Sequence, residues 1–115
     1  MTEPLAVVVA AKALDGLQMR MAALAHNAAN VSTPRFQPLQ VDFEATLRAA
    51  ARHGATAVRD AAFDFIAGPV QGLGDERRLD LILADASATA ARYAAVSDML
   101  GRRLAIGRAA LGAQG

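Results

Sequence analysis

Apolar side chains at Val7, Ala10, Leu14, Leu17, Met21, Leu24, Ala28 and Val31 alternate spacings of three and four. That a/d pattern, held over more than three heptads, predicts one long helix from Leu5 to about Asn30 with a seam for a partner helix. Lys12, Asp15, Gln18 and Arg20 fall on its other faces, as a solvated or partner-facing surface requires. Gly16 is its one weak point, costing about 1 kcal/mol against alanine. A second stripe runs through Leu79, Ile82, Ala86, Thr89, Tyr93, Val96 and Leu100, and Leu104 and Leu111 continue it with a small shift of phase. It predicts a helix from about Leu79 to Leu111. Arg102, Arg103 and Arg108 stand in its last turns, where cations complement the helix dipole.

The region between is less regular. Pro34 and Pro38 bracket Phe36 in an extended or turning segment, since each proline disfavours helix in the residue before it. Asp42 is placed to N-cap a short helix to about Arg52, with Phe43, Leu47 and Ala50 on its apolar face. Residues 61–74 read as loop or short strand, and residues 67–78, "AGPVQGLGDERR", as a mobile link. The predicted organisation is an N-terminal heptad helix and turn (1–33), an irregular middle with one short helix (34–78) and a C-terminal heptad helix (79–115). The fold class expected is all-α: a coiled-coil hairpin of the two long helices with a loop-rich middle.

Composition sharpens this. The 115 residues set a single domain as the upper limit. Hydrophobic residues are 54% of the chain, but only 4% are aromatic and about a quarter are alanine. Alanine favours helix yet buries little area, so such helices gain stability by close mutual approach, often between chains. A net charge of +1, from 12 bases and 11 acids, gives no electrostatic footprint for nucleic acid. Without cysteine there are neither disulfides nor thiolate metal sites. The longest apolar run, Leu5–Ala11, falls far short of the roughly 20 residues that span a bilayer, so no direct membrane insertion is expected. Met1-Thr2-Glu3-Pro4 lacks the positive region of a signal peptide.

Candidate chemistry is sparse. His26 and His53 have no metal-ligand spacing, and structural or surface roles are expected for both. Asp60 and Asp64 could share a helical face but have no general-acid partner. Ser32, Ser87 and Ser97 lack nucleophile-elbow glycines, and "GPVQGLGD" lacks the Lys-Ser/Thr of a phosphate loop. No enzymatic activity, cofactor or metal is expected. As a helix-turn-helix, "AALAHNAANVSTPRFQ" places proline where a recognition helix would begin.

One stretch remains, "NAANVSTPRF" at residues 27–36. Read in isolation, Asn30 is a helix C-cap and Asn27 a surface residue. Together, Asn27, Ala29, Asn30, Thr33, Pro34 and Phe36 at the end of a heptad helix resemble the hallmark of the flagellar rod and hook protein family, its proximal rod subunits above all. "VDFEATLRAA" (41–50) and "ARYAAVSDML" (91–100) are also similar to that family. The likeness covers about two thirds of the chain: residues 1–50 and, more loosely, the last 25. Two departures stand out. Arg35 replaces the glycine usual after Pro34, and "GDERRLDLI" keeps only part of an asparagine- and aspartate-rich opening to the last helix.

The resemblance implies a structural subunit of the basal-body rod that assembles helically, transmits torque and encloses the export channel. Its partners would be further copies of itself, neighbouring rod subunits, membrane-ring or rod adaptor proteins at the base and the flagellar export apparatus. The place implied is the periplasm-spanning rod, reached by type III export without a cleaved signal. Residues expected to mediate assembly are Leu14, Leu17, Met21, Leu24, Asn27, Asn30, Thr33, Pro34, Phe36, Tyr93, Val96, Leu100 and Leu104, with the asparagine amides offered to neighbouring backbones. The alternative is a soluble helical adaptor or regulator acting through coiled-coil pairing.

Overall fold

The structure, a computed structural model, describes residues 3–114. Two long helices, α1 (Leu5–Ala29) and α4 (Asp75–Gln114), pack against each other along an elongated molecule of 62 × 26 × 15 Å. Between them in sequence come β1 (Leu39–Val41), α2 (Phe43–Ala51), α3 (Ala55–Asp60) and β2 (Phe65–Ala67). The helical hairpin is as expected. The class is not purely all-α, because β1 and β2 pair antiparallel with Gln40 opposite Ile66.

α4 begins at Asp75 rather than Leu79. Asp75 and Glu76 in its first turn complement the helix dipole, and Arg78 anchors that turn by bonding the carbonyls of Leu73 and Val31 (3.0 and 2.8 Å) and the Asp75 carboxylate. The second half of the expected link is therefore tied to the exit of α1. Asp42 does occupy the N-cap position of α2, but its side chain makes no capping hydrogen bond. α3, which hydrophobic periodicity did not indicate, starts after Gly54, whose φ of 98° suits a residue without Cβ. Because α3 ends at Asp60 and Ala61 is extended, Asp60 and Asp64 share no helical face.

The core lies on an unexpected side of α1. Its buried members are Val8, Leu17 and Ala23 of α1, Val41, Phe43 and Leu47 of β1 and α2, and Val58 of α3. Tyr93 and Val96 of α4 pack at its border. The middle segment thus covers a face of α1 beside the one on which α4 packs. The stripe doing so is Lys12, Gly16, Arg20, Ala23 and Asn27, again at spacings of three and four. Gly16 is buried, and a Cβ there would clash with the Phe43 ring at its Cγ. The glycine that weakens the helix locally is what lets Phe43 seat against its backbone.

Candidate functional site

Two α1 side chains hold β1 in place. Leu39 donates its N–H to Asn27 Oδ1 and accepts from Asn27 Nδ2, both at 2.8 Å. Arg20 donates to the Val41 carbonyl at 2.7 Å. Gln40 and Ile66 form the paired rung of the ladder, so Leu39 and Val41 turn their backbone groups the other way, toward α1. Asn27 and Arg20 thereby act as a third strand made of side chains. Asn27 is only 7% exposed, and its amide nitrogen and oxygen are both bonded to Leu39 within the chain. This corrects the expectation that it is offered to neighbouring backbones: a buried β-edge must be satisfied, and the nearest amide does so.

Arg20 does more. Its guanidinium bonds both Glu44 carboxylate oxygens (2.6 and 2.5 Å) and lies 4.6 Å from the Phe43 ring centroid. The hydrogen bond from Arg20 holds the Glu44 carboxyl below its usual range, against the opposing effect of partial burial. Lys12 similarly bonds the Arg59 carbonyl at 3.0 Å, with its ammonium 5.5 Å from the Phe63 ring centroid. These cations, read from sequence as lying on a solvated or partner-facing surface, clamp the middle segment onto α1. No period-based signal marks them, because the aliphatic stems pack while the charges find partners.

The exit turn is self-contained as well. Asn30 Nδ2 donates to the His26 carbonyl at 2.9 Å, and the Thr33 hydroxyl donates to Asn30 Oδ1 at 3.2 Å. Phe36 lies against the His26 ring, centroids 5.3 Å apart. Thr33 and Pro34 are exposed. Arg35 has φ 59°, the one non-glycine residue in the left-handed region among the described residues.

The expected seam is partly realised. Leu17 is buried, and Leu14, Leu24, Tyr93, Val96 and Leu100 are half-buried. Gln18 Nε2 reaches Tyr93 Oη at 3.5 Å. Met21 and Leu104 depart from expectation, being 36% and 42% exposed. Met21 turns out of the crowded side of α1, and Leu104 lies where α4, with 40 residues against the 25 of α1, has lost its cover. Every described residue from Gly101 to Gly112 is exposed.

A cleft of about 750 Å³ opens between the exit turn, β1 and the first turns of α4, with Leu24, Val31, Phe36, Leu81 and Ile82 among its walls. No histidine or lysine lines it. Among the described residues no three His, Cys, Asp or Glu side chains gather as metal ligands, and no helix is long and apolar enough to cross a membrane. The more extensive feature is apolar surface: Leu83, Met99, Ile106 and Leu111 of α4 are 55–68% exposed, as is Val70 at 67%. Comparison with known protein families and with curated proteins finds no match to this chain.

Proposed function

We propose that this chain is a structural subunit of the bacterial flagellar basal-body rod, in its proximal part, where copies and related subunits stack helically to transmit torque and enclose the export channel. The observation that carries the reading is a paired helical hairpin whose large apolar side chains lie outside the hairpin along α4. Large apolar side chains left in solvent along one helix suit a chain that buries them against neighbours. The resemblance of residues 27–36 to rod and hook proteins names the kind of assembly. Arg35 supports it: its backbone is left-handed at the position where that family carries glycine.

In this reading the Asn27–Phe36 stretch has an internal task. It turns the chain out of α1 and fixes β1, so that the hairpin is presented at a set angle to its neighbours. Partners are other copies, neighbouring rod subunits and the adaptor proteins at the membrane ring, and export proceeds without signal cleavage. The test is deletion of the gene in its native cell, reading motility and export of later rod and hook proteins. Loss of both, restored by the intact gene, is expected. Normal swimming and export in the deletion would overturn the proposal and favour an adaptor.

A further inference from the structure

α4 is polarised in charge from end to end. Residues 75–85 hold four acids (Asp75, Glu76, Asp80, Asp85) against two bases (Arg77, Arg78), whereas residues 99–114 hold Arg102, Arg103 and Arg108 and no acid. At the first end Glu76, Asp80 and Leu83 stand at i, i+4 and i+7, on one face of the helix, and all three are exposed. At the other end Leu104, Arg108 and Leu111 repeat that spacing, also exposed. Asp75 and Arg102 already have ion-pair partners, Arg78 and Asp98. Among the described residues Glu76, Asp80, Arg103 and Arg108 are in no ion pair.

Leu104 and Leu111 also continue the α4 stripe that further back packs on the core through Tyr93 and Val96. The intramolecular interface thus runs on past the end of its partner helix. We infer that the basic end of α4, Leu104–Arg108–Leu111 with Arg103 beside it, docks on the acidic face Glu76–Asp80–Leu83 of a second copy. Two basic ends would repel each other, and so would two acidic ones, so the pairing is of unlike surfaces. A contact between unlike surfaces leaves the pair with one surface of each kind still free, and open helical growth is what such contacts generate. The inference deepens the assembly reading and rests on it, since it names the surfaces by which one copy meets the next.

Sedimentation of the full chain at low and high salt tests this. The wild type should associate with rising concentration, and less so at high salt, because exposed charges are screened. R103E/R108E alone and E76R/D80R alone should each associate about tenfold more weakly, as attractive pairs become repulsive. An equimolar mixture of the two variants should regain association, because each reversed end now meets a complementary one. Reversal at 76 and 80 also removes acid from the start of α4, so circular dichroism must show both variants as helical as the wild type; the mixture then excludes simple unfolding. Variants that associate like the wild type, or a mixture that does not recover, would overturn the inference while leaving rod membership standing. A wild type monomeric under all these conditions would overturn it too, and rod membership would then be decided by deletion and imaging in the cell.

Discussion

Asn27 shows how far a residue's role can lie from its sequence appearance. Asparagine in a helix competes for backbone hydrogen bonds, and here it uses that capacity on β1 instead. Truncation in Asn27→Ala strands the N–H and C=O of Leu39, costing about 1–3 kcal/mol in urea unfolding despite the better helix propensity of alanine. A neutral or stabilising result would mean that the two bonds do not hold β1. Gly16 gives an opposition of sign. Propensity alone makes Gly16→Ala stabilising by about 1 kcal/mol; the Phe43 ring in the way makes it destabilising, by about 1–3 kcal/mol. Denaturation midpoints decide between the two. The Arg20–Glu44 bond sets a pH dependence. A carboxyl held below its usual value contributes stability that is present above the unfolded value of 4.5 and lost as pH falls through the folded one. Stability of the wild type should therefore decline below about pH 4.5 more steeply than that of Glu44→Gln. With the Glu44 side chain 43% exposed, solvent screening keeps the difference small. Equal slopes would remove the bridge from the account.

Among elements, the two long helices were legible because their stripes are long and carry leucine, valine and tyrosine. α1 ends at Ala29, beside the expected Asn30, where Asn30 and Thr33 close the turn. What could not be read is the second stripe of α1. Its members Lys12, Gly16, Arg20, Ala23 and Asn27 are small, charged or polar, and contribute by closeness and by hydrogen bonds rather than by area. β1 and β2 are three residues each, too short for alternation to show, and β1 owes its place to α1 side chains that lie 12 or more residues away. The seam itself yields a ranking. Leu17, 3% exposed, should cost about 2–5 kcal/mol on truncation to alanine. Leu24, half-buried, should cost about 1–2 kcal/mol. If Leu24→Ala proved the more damaging in urea unfolding, the cluster of Leu17 with Phe43, Leu47 and Val58 would not be the centre of the core.

At the scale of the molecule, the radius of gyration is 17.7 Å, against about 13 Å for a compact chain of this length. The excess reflects a 40-residue helix that outruns its partner and ends in exposed leucines and arginines. The molecule leaves many of its large apolar side chains outside its own core. A rod subunit must reside in the basal body of its cell. Basal bodies isolated from cells carrying a tagged copy, imaged by electron microscopy with the tag labelled, locate it most directly. Label along the proximal rod, between the membrane ring and the distal rod, in several copies per basal body, is the result predicted. Basal bodies complete and unlabelled, with the tagged chain recovered in a discrete soluble complex, would contradict it.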